Sequence, residues 1–191
     1  MRASRRCPVT PIRVAAIRTP YTLASVTRLA GAESGTLSLL ARDLLLRNTR
    51  ISMVGLSANI SRPSYRAAVH MVAYGYDVIP VNPMVDIVLG RRAVPSLADV
   101  EGPLGIVDVF RRIEEVPGVV EQALEIGCAA VWLQLGLISP EAEEMCRQAG
   151  VPFVQDRCVK MEHARWFGGL NWAGLATGVI SSRREETQRA G

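Results

Sequence analysis

Short apolar runs recur along this chain at nearly even intervals, and most are closed by a turn residue. Ile51–Gly55, Asp77–Val81, Gly105–Phe110, Ala129–Gln134 and Pro152–Gln155 are mostly rich in Val, Ile or Leu, and their starts lie about 23–28 residues apart. That is the repeat of βαβ units, and runs apolar on both faces suit strands of a buried parallel sheet. The stretches between carry helix punctuation. One helix is expected from Pro63 to Tyr74, with proline at the tolerated first position and Gly75 as its stop. A second ends at Ile126 before Gly127. A third starts at Ser139 as N-cap and Pro140, sets Glu141, Glu143 and Glu144 against the positive helix end, and stops at Gly150. Ahead of the first strand, Leu39, Leu40, Asp43, Leu44 and Arg47 suit a short amphipathic helix. The expected fold is α/β, a doubly wound, Rossmann-like open parallel sheet of about five strands with helices on both faces.

Composition sets the limits around this core. The chain has 191 residues, 49% hydrophobic and 21% charged, enough for one domain with a buried interior. No unbroken run of about 18 apolar residues offers a membrane span. The net charge of +4 is unevenly placed. Residues 1–50 hold nine arginines against Glu33 and Asp43, whereas the rest holds 13 Lys+Arg against 16 acids. The folded part is therefore slightly acidic, which argues against nucleic acid as partner. Residues 1–36 read as a leader, either a disordered extension or a mitochondrial-type targeting segment. The domain proper is expected over 37–163. Residues 164–191, with Trp166, Phe167 and Trp172 among small residues and then a charged end, read as a strap over the domain's edge or a dimer contact. Cys7, Cys128, Cys146 and Cys158 form no C-x-x-C pair and no disulfide framework, so a reducing compartment is expected: the cytoplasm, or the mitochondrial matrix if the leader is a targeting signal.

Ligands of open parallel sheets bind beyond the carboxyl ends of the strands, at the point where strand order reverses. The loops there carry Gly55, Leu56 and Ser57, then Arg62, Pro63 and Ser64 at a helix entry. After the second strand come Val81, Asn82 and Pro83; after the third, Phe110, Arg111 and Arg112; after the fifth, Asp156, Arg157, Cys158 and Lys160. Basic residues recur at these strand ends while glutamates lie on the helices, which makes one edge attractive to a phosphorylated ligand. Taken singly, each is an ordinary solvated loop residue or a partner for Glu114, Glu115 or Asp156. The first loop lacks G-x-G-x-x-G, and Asn82 stands where a nicotinamide dinucleotide site would place an acid, so NAD is disfavoured.

The blocks Val54-Gly55-Leu56-Ser57, Arg62-Pro63-Ser64-Tyr65-Arg66, Val78-Ile79-Pro80-Val81-Asn82-Pro83, Val107-Asp108-Val109-Phe110-Arg111-Arg112, Val131-Trp132-Leu133-Gln134-Leu135-Gly136 and Asp156-Arg157-Cys158 run in order from about Arg50 to His163. Together they resemble the small stand-alone CoA-binding proteins, whose fold is shared with the CoA-binding domain of the succinyl-CoA synthetase alpha subunit. The resemblance implies a site for coenzyme A or an acyl-CoA. Gly55, Leu56 and Ser57 with Arg62, Pro63 and Ser64 would face the pyrophosphate. Val81, Asn82 and Pro83 would border the nucleoside, with Phe110, Arg111 and Arg112 opposite. The synthetase's phosphate loop is richer in glycine than Leu56-Ser57-Ala58-Asn59. Its phosphohistidine lies in a second domain for which these 191 residues are not expected to have room, so ligase activity is not expected to carry over.

No independent catalytic machinery stands out. There is no G-x-S-x-G elbow, His70 reads as a surface position in mid-helix, and His163 reads as structural. Asp108, inside a strand, needs a buried partner. Cys158 can approach the crevice, and Arg157 and Lys160 beside it would lower its thiol pKa. The expected role is a non-catalytic carrier, sensor or regulatory module, with a homo-oligomer or another protein as partner left open. The rivals are an NAD(P)-binding oxidoreductase on the same fold, and an interaction module with a vestigial nucleotide site.

Overall fold

The computed structural model describes residues 34–168. In chain order these form α1 (Ser34–Arg47), β1 (Arg50–Val54), α2 (Pro63–Ala73), β2 (Asp77–Val81), β3 (Ile87–Val88), β4 (Arg91–Arg92), β5 (Ile106–Val109), α3 (Val116–Ile126), β6 (Ala130–Leu133), α4 (Pro140–Ala149), β7 (Phe153–Val154) and α5 (Val159–Phe167). Single 3-10 turns lie at Leu97–Asp99 and Ile113–Glu115.

Five strands make one parallel sheet in the order β2-β1-β5-β6-β7. Successive side chains of a strand point to opposite faces, so each strand feeds two separate cores. Ile51, Met53, Ile106, Ala130 and Trp132 pack under α1, α2 and α5 on one face. Val54, Val107, Val109, Val131 and Leu133 pack under α3 and α4 on the other. This is the doubly wound α/β architecture that the apolar runs imply. The helix signals hold as well. Ser139 Oγ accepts the Ala142 N–H at 3.2 Å, and Gly150 closes α4 in the left-handed conformation (φ 67°).

Three features depart from the sequence reading. The interval between β2 and β5 has βαβ length but contains no α-helix; a β3–β4 hairpin and a 3-10 turn fill it. Helix α5, capped by Gly168, carries the fold past 163 to Phe167. Helix α1 likewise begins at Ser34, three residues ahead of the expected boundary. The two helices are fastened to each other by a buried polar cluster. Ser38 Oγ donates to Glu162 Oε2 (2.7 Å) and accepts from Arg165 Nη1 (2.9 Å) and Trp166 Nε1 (3.2 Å), using its full hydrogen-bonding capacity. Arg165 pairs with Glu162 at 3.2 Å, and the Arg42 guanidinium lies over the Trp166 ring. Trp166 thus packs against the domain's own α1, whereas Trp172, the charged end and the leader before residue 34 lie outside the described residues. Among the described residues, no helix is long and apolar enough to cross a membrane.

Candidate nucleotide-binding site

The chain leaves β1 for α2 on one face and leaves β5 for α3 on the other, so strand order reverses between these neighbours. The 55–59 and 110–112 loops leave the sheet there for opposite faces, which is the crevice position of a doubly wound sheet.

Gly55 makes the crevice tight. Its N–H donates to Val81 O at 2.8 Å, and its φ of 84° is a conformation that side chains resist. A Cβ there would sit 2.4 Å from the Phe110 carbonyl oxygen and 3.3 Å from Arg111 Cδ. The two loops therefore pass in direct contact, with the Arg111 stem lying over the glycine. Side chains then lock the first loop. Ser57 Oγ accepts the Asn59 N–H (3.1 Å), Asn59 Oδ1 accepts the Ser61 N–H (2.9 Å), and Ser64 Oγ accepts the Ser57 N–H (3.2 Å). Both hydroxyls keep their own protons for donation. Helix α2 begins at Pro63 with no side-chain cap, so the N–H groups of Ser64 and Tyr65 at its positive end have no partner within the helix.

Asn82 acts as a clasp. Its Nδ2 donates to Leu56 O (2.9 Å) and its Oδ1 accepts from Met84 N (3.0 Å), joining the loops after β1 and β2. Leu56 and Val81 serve through their backbones alone, because their side chains are buried in the core. Pro83 is exposed and Phe110 half-buried along the same edge.

The expected concentration of positive charge is only partly present. Arg111 is half-buried 3.6 Å from Glu115, and Arg112, 81% exposed, bonds the same carboxylate at 2.8 Å. Hydrogen bonding and proximity to Glu115 hold the Arg112 pKa above its ordinary value. The two guanidiniums thus share the Glu115 carboxylate, and Glu114 adds a second negative charge beside Arg112, so the pair is largely neutralised by its own neighbours. Arg62 is exposed at the N-cap of α2. Arg157, by contrast, is turned into the protein, 3.9 Å from Glu162, and does not reach the mouth.

Two polar groups lie deeper. Asp108, in the middle of the sheet and fully buried, accepts from Gln134 Nε2 at 2.5 Å through Oδ1, while its Oδ2 has no hydrogen-bond partner. Burial raises its pKa to about 7, against the opposing pull of the Gln134 bond. Gln134 Oε1 in turn faces the Val159 N–H at 3.4 Å, linking the floor of the sheet to the start of α5. Cys158, the N-cap of α5, is half-buried. Burial raises its thiol pKa and Asp108 adds to this. The nearby amides of Lys160 and Met161 and the Lys160 charge pull the other way without prevailing, so the expected lowering does not occur.

His163 is buried, and His70 is half-buried rather than fully at the surface: its Nε2 lies 3.0 Å from His163 Nδ1 across the α2–α5 contact, among Tyr74, Tyr76 and Phe167. Burial lowers both, His163 to about 4, and the Lys160 charge contributes at His70. Sequence marks Gln134 only as part of a strand-end block and Glu162 not at all. A glutamine ending an apolar strand, and a glutamate at the buried period of a helix, were the available signals.

The comparisons with known proteins bear on the family and the fold. Residues 49–164 match the model of a family described as the CoA binding domain. The uncharacterized protein YneT of Bacillus subtilis (strain 168) is 43% identical over 123 residues, 64% of this chain and 91% of that protein. A solved structure from Thermus thermophilus, cell-free ID.343, is 35% identical with a TM-score of 0.65, covering 68% of this chain and 98% of its own. A hypothetical protein from Pyrococcus horikoshii OT3 is 33% identical with a TM-score of 0.67, covering 73% and 96%. The matched stretch contains every strand of the sheet and the whole crevice, and the chain belongs to the CoA binding domain family.

Proposed function

We propose that this domain binds coenzyme A or an acyl-CoA at the carboxyl edge of the sheet, as a carrier, sensor or regulatory module rather than as a catalyst. The observation that carries the reading is the contact of the Gly55 loop with Phe110 and Arg111 beside the uncapped start of α2. The pyrophosphate is received by the N–H groups of Ser64 and Tyr65 and the hydroxyls of Ser57 and Ser64, with the helix end adding favourable charge. The nucleoside lies between the Val81-Asn82-Pro83 segment and Phe110. Arg62, Arg111 and Arg112 are the cations within range of the third phosphate. A nicotinamide dinucleotide is poorly served, because the acid that would take its ribose hydroxyls is Asn82, whose amide is committed to Leu56 and Met84.

Titration calorimetry with CoA, dephospho-CoA and NAD tests the ligand. A well-made charge-assisted contact is worth about 1.5–3 kcal/mol. CoA is therefore expected to bind at least about tenfold more tightly than dephospho-CoA, and both more tightly than NAD. NAD as the preferred ligand would overturn the reading. The non-catalytic role is tested by incubating the protein with acetyl-CoA, which is expected to be recovered intact; protein-dependent release of free CoA would refute that part alone.

A further inference from the structure

Helices α2 and α5 pack on the same face of the sheet, and both begin at its carboxyl edge. The start of α2 borders the crevice. Cys158 stands at the start of α5, near enough to Asp108 of β5 for that carboxyl to raise its thiol pKa. The Cys158–Val159 segment is held to the sheet by Gln134, which is itself bonded to Asp108. The edge thus runs from the Gly55 loop across β5 to Cys158.

The middle strand beneath this edge holds a carboxyl oxygen without a hydrogen-bond partner. Asp108 is fully buried, and its Oδ2 is the only buried carboxyl oxygen left unpartnered among the described residues. A buried carboxyl oxygen without a partner is destabilising in either protonation state, as an O–H below about pH 7 and as a bare acceptor above it, which points to a partner supplied from outside the chain. The arm of coenzyme A that ends in its thiol carries two amides, each with an N–H and a C=O, and so has a partner for either state. The other described thiols are placed differently. Cys146 is buried on α4 under the opposite face, and Cys128 lies before β6 at the amino edge.

Resting on the CoA reading above, we propose that the sulfur end of the ligand is received over Asp108 between the starts of α2 and α5, and that Cys158 is a thiol–disulfide exchange site for a CoA disulfide. Cys158 Sγ, after losing its proton to solvent, attacks one sulfur of the CoA disulfide. A Cys158–CoA disulfide forms, the original S–S bond breaks, and the released CoA thiolate takes up a proton. One disulfide is consumed and one is formed. Cys158 is oxidised, one CoA sulfur is reduced, and no further oxidant is needed. Asp108 is a positioning residue in this step: its Oδ2 bonds the arm, and its charge adds to the burial that raises the pH at which the thiolate forms.

The test uses the full chain at pH 8.5 with equal concentrations of CoA disulfide or glutathione disulfide, followed by intact mass and peptide mapping. The expected result is a single CoA adduct on Cys158, formed at least tenfold faster than the glutathione adduct and absent from Cys158→Ser. Equal rates with the two disulfides, or an adduct that maps to another cysteine, would overturn the proposal. In Asp108→Asn, loss of the negative charge should move the pH–rate midpoint to lower pH; an unmoved midpoint removes Asp108 from the step. Calorimetry of reduced CoA on Cys158→Ser separates the two readings. CoA binding without any exchange in wild type refutes only the exchange, whereas failure of CoA to bind either protein refutes the nucleotide site itself.

Discussion

Replacing Asp108 by Asn should change the pH dependence of stability in a defined way. The native carboxyl holds its proton up to about pH 7, whereas the unfolded chain releases it near 3.8. Its contribution to stability is therefore complete below 3.8 and is lost progressively as pH rises through about 7. About three pH units at about 1.4 kcal/mol each give an upper bound near 4 kcal/mol, and local relaxation around the buried charge brings the expectation to about 2–4 kcal/mol. The replacement amide is neutral at every pH, and its Oδ1 can still accept from Gln134. Its new N–H group has a fixed cost or gain that does not depend on pH. The quantity to measure is thus the stability difference, variant minus wild type, by urea denaturation from pH 4.5 to 8.5. It should climb by about 2 kcal/mol or more and flatten above pH 8, while titration of His163, common to both proteins, cancels. A difference constant within about 0.5 kcal/mol would show that Asp108 is ionised throughout, and the argument from burial would fail.

Gly55→Ala puts a Cβ 2.4 Å from the Phe110 carbonyl at a positive φ. It should lower stability by at least about 1–2 kcal/mol and weaken CoA binding as the loops separate, read from the urea midpoint and calorimetry. The His163 pKa, lowered to about 4, makes neutral His163 a stabilising feature that is complete above about pH 6.5 and lost as pH falls through about 4. Allowing for partial solvent screening of the pair, wild type should lose about 1–2 kcal/mol more than His163→Gln between pH 7 and 4.5; equal losses would refute the assignment. Arg111→Ala should weaken CoA binding about tenfold with the fold intact, and the double variant with Arg112→Ala more so, since the two share Glu115. Collapse of stability with unchanged affinity would make Arg111 structural.

The fold was legible because each strand is apolar on both faces and each interval has turn chemistry at its ends. Pro63, Gly127, Ser139 and Gly150 stand where the helices start or stop. The hairpin between β2 and β5 was hidden by an interval of ordinary crossover length, since length alone does not distinguish a helix from a hairpin with a 3-10 turn. Helix α5 was hidden because its buried face is polar: Glu162, His163 and Arg165 do not register as a hydrophobic stripe, and their burial follows from partners on α1 and α2 that are remote in sequence. At the site, sequence located the loops but not which way side chains turn. Arg157 is drawn inward by Glu162, and Leu56 is drawn into the core, for tertiary reasons that no local pattern encodes.

The segment after the β3–β4 hairpin has a bearing on how this chain behaves at high concentration. An open sheet exposes two lateral rows of backbone donors and acceptors, on which a second chain can add by strand pairing. Here Val94 runs parallel to the outer side of β2, its N–H donating to Pro80 O at 3.0 Å and its O accepting from Asn82 N at 2.8 Å. Arg91 adds a side-chain bond to Val78 O at 3.2 Å. The N–H and C=O of one strand residue point the same way, so the donor that Pro80 lacks would have faced outward, and the ladder to β1 loses nothing. At the other edge β7 pairs over only Phe153 and Val154. Among the described residues, neither margin presents a long row of free amides. The protein should therefore resist edge-to-edge templating, and removal of the Arg91–Val94 cover is the change most expected to make it aggregate.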